Sequence, residues 1–172
     1  MLFAHPYLEY SESNKQLLNF YVRHHHYSFR DLYEEYPDFH IPAFRERKRI
    51  MEFERIIFHF PLIFFGIPPL LKLWIDEVFD IKWRLDPNEN PLKGKEAVIL
   101  TTAGSKKELF GRDGQYHYTI EEMISGLLVT LKTNEIKLLD ILPIYNAENI
   151  NKKQIIAHKA EFEKILEKEN GR

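Results

Sequence analysis

The chain has 172 residues, no cysteine and a formal net charge of −2. This length suits one domain over residues 1–172 with a full core. The missing cysteines exclude disulfides, thiolate nucleophiles and zinc–cysteine sites, and the charge balance argues against nucleic acid as a partner. No apolar run is long enough to span a membrane and no signal peptide is evident, so the expected compartment is the cytoplasm.

In chain order, residues 1–4 read as a short first strand, stopped by His5 and Pro6. Ser13, with Gln16 three residues on, predicts a capped helix to about Arg23. Residues 27–32 alternate as a second strand, 33–41 read as loop, and Pro42 opens a polar helix to about Phe53. The basic stretch 45–49 inside it, interrupted by Glu46, reads as a solvated helix face. The apolar run 56–60 suits a strand buried on both faces and ended by Pro61.

A loop over 62–67 follows, and Pro68 and Pro69 suit the first turn of a helix over 70–79. The apolar residues of that helix cover about half its circumference, against the roughly 100° stripe of a surface helix. A second subunit, with Trp74 as anchor, is the expected cover. Residues 86–94 carry turn chemistry, 96–102 predict a strand, and 103–115 form a long glycine-containing loop. Thr119 with Glu122 caps a helix to Leu131. A strand over 136–142 is stopped by Pro143, and Asn151 caps a last amphipathic helix. Strands alternating with helices imply an α/β fold, a parallel sheet with helices on both faces. Ligands in such folds bind at the carboxyl ends of the strands. The loops there cover 5–13, 61–67 and 101–118.

Neither G-x-G-x-x-G, nor a Walker A sequence, nor G-x-S-x-G occurs. Ser11, Ser13 and Asn14 instead stand at the first helix start, where hydroxyls and free amides either hold a phosphate or simply cap the helix. Phe64 and Phe65 either line a flat ring or pack between subunits. Thr101, Thr102 and Gly104 end a strand at the binding edge, as heterocycle ligands or as an ordinary strand-to-loop transition. Tyr116 and His117 follow a glycine turn and are candidates to protonate or stabilise an oxyanion. His24, His25 and His26 are consecutive, so on a helix they point about 100° apart and do not share one metal ion. No metal site is expected.

Taken together, H-P-Y at 5–7, S-E-S-N at 11–14, F-P-L-I-F-F-G-I-P-P-L-L-K-L-W-I-D at 60–76, L-K-G-K at 92–95 and T-T-A-G at 101–104 resemble the flavodoxin-like NAD(P)H:quinone oxidoreductases. The likeness is greatest to the branch that includes the ancillary proteins of glutathione-regulated potassium efflux. It spans nearly the whole chain, and G-I-P-P-L-L-K-L-W-I-D is its specific part. The resemblance implies a flavodoxin-like three-layer sandwich with strand order 2-1-3-4-5, a homodimer, and hydride transfer from NAD(P)H through a flavin to a quinone. By motif position, His5, Ser11, Ser13 and Asn14 would hold the flavin phosphate and ribityl chain. Leu62, Ile63, Phe64 and Phe65, with Thr101, Thr102, Ala103 and Gly104, would surround the isoalloxazine. Phe64 stands where the family usually has Trp, and Ala103 replaces the first glycine of T-T-G-G.

The expected cofactor is FMN, with FAD as the alternative, and NAD(P)H is the expected co-substrate. Two rivals share this fold: a flavodoxin-type electron carrier, and a flavin-binding regulator of a membrane transporter's cytosolic domain. Near-neutral charge disfavours the carrier, because flavodoxins are strongly acidic.

Overall fold

The computed structural model describes residues 1–23, 27–86 and 88–167. The histidines at 24–26, and Pro87 of the 86–94 turn, lie outside the described residues. Five parallel strands form one sheet: β1 Leu2–Phe3, β2 Arg30–Asp31, β3 Arg55–Pro61, β4 Glu96–Thr102 and β5 Lys137–Ile144, in the order β2-β1-β3-β4-β5. Among the described residues the helices are α1 Glu12–Tyr21, α2 Leu32–Glu35, α3 Ala43–Met51, α4 Pro69–Val78, α5 Ile81–Leu85, α6 Ile120–Met123, α7 Ser125–Thr133 and α8 Lys152–Glu167. This is the doubly wound order expected above.

β3 is buried from Ile56 to Pro61, because helices cover it on both sides. Its alternation feeds two cores. Ile57, with Val98 and Leu100 of β4, packs on Leu17 and Tyr21 of α1 and on Ile155 and Phe162 of α8. Ile56, Phe58 and Phe60 pack on α4, with Leu32 of α2, Ile50 of α3 and Leu127 of α7 beside them.

Several expectations are corrected. The N-cap of α1 is Ser11, whose side chain accepts from the Asn14 N–H; Ser13 sits one turn position inside the helix, buried. The second strand shrinks to two residues, and Leu32 of the expected strand with residues 33–35 of the expected loop form α2, capped by Asp31. β5 runs through Pro143 to Ile144. The Ala103 N–H donates to the Ile144 carbonyl (2.8 Å), so alternation turns the backbone of residue 143 away from β4. There, on the edge strand, the missing N–H of proline breaks no ladder bond. The helix expected over 119–131 keeps its capping box at Thr119 and Glu122 but breaks at Ile124 into α6 and α7.

The broad apolar arc of α4 is covered within the chain. Leu70, Leu71, Trp74, Ile75 and Val78 are all buried against β3, β4, α2 and α3. Trp74 is 1% exposed, and its indole N–H donates to Glu46 of α3 at 2.8 Å. Glu46 is itself fully buried, bonded to Arg30 (2.5 Å) and Arg49 (2.8 Å). In the stretch at 45–49, Arg45 and Lys48 are exposed as expected, and Glu46 is the exception. The stretch carries a buried charge cluster, and Trp74 is not available to anchor a second subunit. The motif at 92–95 is structural too: Lys95 Nζ donates to the Phe53 carbonyl (2.5 Å) at the end of α3.

β1 is short, and its pairing with β3 begins at Leu2 opposite Phe58. Beyond it, towards the amino ends of the strands, a cleft of about 800 Å³ opens, lined by Leu2, Ser28, Arg30, Ile50, Ile56 and Trp74 among others. Ligands of open parallel sheets bind at the other, carboxyl edge, where the chemistry-bearing loops gather.

Candidate functional site

Loops following β1, β3, β4 and β5 meet at the carboxyl edge. At the β1 end, Asn14 Nδ2 donates to Ser11 Oγ (2.9 Å) and to Thr102 Oγ1 (3.2 Å), tying the start of α1 to the end of β4. Ser13 Oγ lies 3.3 Å from Ser11 Oγ. Asn14 Oδ1 and Thr101 Oγ1 are buried with no hydrogen-bond partner. Buried polar atoms are normally paired, so two orphans at one sheet edge mark a place where a polar ligand or water belongs. The first N–H groups of α1 add free donors and a partial positive charge.

His5 is buried beside them, and its Nδ1 accepts the Tyr7 N–H at 3.2 Å. That bond fixes the proton of the neutral ring on Nε2, which is left as a donor. Burial holds the His5 pKa down to about 4, outweighing Glu9 and a backbone bond that favour the charged form. His5 is therefore a neutral donor near pH 7. Neutral donors, hydroxyls and helix amides together suit a phosphate or polyol.

The loop after β3 is pinned by the Leu62 N–H, which donates to the Thr102 carbonyl (2.8 Å). Ile63 and Gly66 then exchange backbone bonds of 2.9 and 3.1 Å, with Phe64 (φ 46°) and Phe65 (φ 65°) between them. Positive φ at both central residues is the signature of a type I′ turn, which favours Asn-Gly. An aromatic pair there is strained, by about 1–3 kcal/mol per residue. The strain holds Phe64 97% exposed at the rim.

Phe65 meets the Tyr116 ring edge-on at 5.0 Å; Tyr116 meets Phe110 at 5.2 Å, and Phe110 meets Tyr145 at 5.2 Å. An aromatic wall thus runs from the β3 loop to the β5 loop. Tyr116 OH lies 2.7 Å from Ser105 Oγ. The loop is tightly built: a side chain at Gly114 would stand 2.5 Å from the Leu109 carbonyl. Such a wall presents ring faces and edges to a heterocycle.

The structure joins Ser11, Ser13, Asn14 and Thr102 by hydrogen bonds and sets Phe65 against Tyr116, with His5, Leu62, Ile63 and Thr101 in the segments of the same edge. It separates the expected Tyr116–His117 pair. His117 (φ 58°) is exposed, and its Nδ1–H donates to the Arg112 carbonyl at 3.0 Å. That bond commits the Nδ1–H to the chain's own backbone. Ala103 is buried, with its N–H on Ile144 and its carbonyl on the Ala147 N–H, so its methyl joins the core. Gly104 carries the close approach, with Glu148 Oε1 3.3 Å from where a Cβ would stand. Ser105, Phe110 and Tyr145 were not anticipated from sequence. Ser105 follows T-T-A-G directly, and Tyr145 follows β5, so position at the carboxyl edge was the available signal. Among the described residues no cluster of metal-ligating side chains occurs, and no helix is long and apolar enough to cross a membrane.

Comparison with known proteins gives a consistent picture. General stress protein 14 of Bacillus subtilis is 34% identical over 93% of this chain and 91% of its own length. The NAD(P)H oxidoreductase YrkL of the same organism is 30% identical over 90% and 89%. The glutathione-regulated potassium-efflux ancillary protein KefF of Enterobacter is 36% identical over 64% of this chain and 62% of its own. Among solved structures, general stress protein 14 of Treponema denticola in complex with FMN shares the fold, with a TM-score of 0.82 at 22% identity over 96% of this chain and 93% of that one. The family model for the flavodoxin-like fold matches residues 1–166, and the chain belongs to that family.

Proposed function

We propose that the protein is an FMN-dependent NAD(P)H:quinone oxidoreductase. The observation that carries this reading is that two of the four orphaned buried polar atoms among the described residues, Asn14 Oδ1 and Thr101 Oγ1, stand at a carboxyl edge beside an aromatic wall. A flavin mononucleotide matches both halves. Its phosphate and ribityl chain suit Ser11, Ser13, the amides of α1 and the Nε2–H of His5. Its ring suits Leu62, Ile63, Phe64, Phe65, Thr101, Thr102 and Gly104. When bound, FMN supplies two-electron chemistry between a reduced nicotinamide and an acceptor. The relative named as an NAD(P)H oxidoreductase and the neighbour in complex with FMN support the same choice.

The residues around the ring do the remaining work. The aromatic wall leaves room for one flat ligand at a time, so nicotinamide and quinone take turns, and steady-state data should give parallel double-reciprocal lines. Tyr116 stands in the wall as the hydroxyl donor for charge that develops on the acceptor oxygen. Two copies pair through the exposed Phe64–Phe65 turn and the outer side of α6 and α7, where Tyr118 and Val129 are exposed, rather than through Trp74. The KefF relative supports a second role, docking on a transporter's cytosolic domain.

The test is direct. Purified protein should show a flavin absorption spectrum, release FMN identified by mass, and oxidise NAD(P)H with menadione. Asn14→Ala removes the tie between α1 and β4, and should lower flavin retention at least tenfold with the fold intact by circular dichroism. Protein that takes up neither FMN nor FAD at micromolar concentration refutes the reading.

A further inference from the structure

We propose that Ser105 is a positioning residue that orients the Tyr116 hydroxyl for proton donation to the acceptor; this rests on the oxidoreductase reading above. The two side-chain oxygens lie 2.7 Å apart, the usual distance for a hydroxyl pair. Both partners are held independently of each other. The Ser105 carbonyl accepts the Asn146 N–H (2.8 Å), which ties it to the loop after β5. The Tyr116 N–H donates to the Leu109 carbonyl (2.9 Å), and its ring is fixed edge-on by Phe65 and Phe110. With both backbones anchored, the one soft degree of freedom left is which hydroxyl donates.

That choice decides the chemistry. If Tyr116 donates to Ser105, its proton is taken up inside the protein. If Ser105 donates, the Tyr116 proton is free to point to the ligand, and the oxygen keeps a hydrogen bond that stabilises it once the proton has left. Quinone reduction consumes a hydride, which brings two electrons and one proton, and a second proton on the other oxygen. Tyr116 supplies that second proton, its oxygen stays bonded to Ser105 Oγ–H, and water returns the proton afterwards. The Nδ1–H of His117, by contrast, is engaged by the Arg112 carbonyl.

Ser105→Ala should lower kcat with quinone about fivefold, which at about 1.4 kcal/mol per tenfold corresponds to about 1 kcal/mol, the net strength of one hydrogen bond. KM for quinone and the rate of flavin reduction by NAD(P)H, measured by stopped flow, should stay within about twofold. Ser105→Thr keeps the hydroxyl and should restore turnover. Because Ser105 acts through Tyr116, adding Ser105→Ala to Tyr116→Phe should cost nothing further.

A separate readout needs no flavin. In flavin-free protein carrying ¹³C-tyrosine, Ser105→Ala should shift the Tyr116 Cζ resonance and leave that of Tyr118 in place. Flavin-loaded protein in which Ser105→Ala turns over like the parent, or in which the two substitutions add, overturns the inference and leaves the oxidoreductase reading standing. An unmoved Tyr116 resonance overturns the inference as well. Protein that takes up no flavin overturns both.

Discussion

Glu46 is the position at which a single substitution should do most damage away from the site. Its carboxylate is fully buried and is held by Arg30 Nη1 (2.5 Å), Arg30 Nη2 (3.1 Å), Arg49 Nη1 (2.8 Å) and Trp74 Nε1 (2.8 Å). Burial alone would raise its pKa, but the hydrogen bonds from Arg30, Trp74 and Tyr36 outweigh it and hold the group below its usual value. Glu46→Ala removes the counter-charge of Arg30, a side chain only 10% exposed, and leaves it with Glu35 alone. Breaking a buried pair from one side costs about 3–5 kcal/mol. Trp74→Phe deletes one charge-assisted bond, for about 1.5–3 kcal/mol, and removes one ring of the buried indole, which leaves a cavity that adds to the cost. Urea unfolding followed by circular dichroism measures both, and the double variant should fall short of their sum, because the two residues share one bond. Sedimentation of Trp74→Phe at a concentration where it stays folded should match the parent, since Trp74 faces α3 and not a second copy. A Glu46→Ala cost below about 1 kcal/mol would refute the reasoning, and a change of association state in Trp74→Phe would return Trp74 to the interface.

Two other outcomes follow from the same structure. Burial holds the pKa of His158 and His5 near 4 and drives that of His59 well below its usual value. Between pH 6.5 and about 4 the unfolded chain therefore binds more protons than the folded one. The stability these three histidines contribute should be at its plateau above pH 6.5 and fall as the pH drops, by roughly 1.4 kcal/mol per pH unit for each histidine; midpoints of urea unfolding that stay flat from pH 7 to 4.5 would contradict this. Replacing Phe64 and Phe65 by Asn and Gly gives the turn residues its backbone prefers, and should raise the stability of the flavin-free protein by about 1–3 kcal/mol while lowering quinone turnover, checked by melting and by the menadione assay.

What the sequence made legible depended on whether the deciding contacts were local. β4 falls at 96–102 as expected, because an unbroken apolar run between turn residues leaves few alternatives. Reciprocal caps at Thr119–Glu122 and Asn151–Gln154 also appear where expected, each closed within three residues. The misses are decided by distant partners. Glu46 looks like an interruption in a basic surface until Trp74, 28 residues away, and Arg30 are folded onto it. Pro143 looks like a stop until β5 proves to be an edge strand. Ser13 carries a good capping spacing, yet Ser11 takes the cap, because Asn14 is drawn to Thr102 across the sheet. The family motifs lie at the carboxyl edge, but they do not give the orientation of His117, which a backbone carbonyl five residues earlier decides.

The distribution of strain bears on the same edge. Among the described residues, those other than glycine with positive φ are Phe39, Phe64, Phe65, His117, Glu135 and Asn146. Phe64, Phe65, His117 and Asn146 lie in the loops after β3, β4 and β5, at the carboxyl edge where Asn14 Oδ1 and Thr101 Oγ1 are also unpaired. Each such departure costs of order 1–3 kcal/mol and persists only where surrounding structure over-determines it. The surroundings here are two apolar cores, one on either face of β3 and β4, and the Glu46 cluster beneath α4. Residues with unfavourable local conformations thus sit where a ligand would be met, and two of the buried unpaired polar atoms of the described residues lie there with them, the other two being the ring nitrogens of His59 in the core beneath. A sequence selected for stability alone would place Asn-Gly in the β3 turn and pair both orphaned oxygens. That this one does neither, at a single edge, is the physical reason to place the function there.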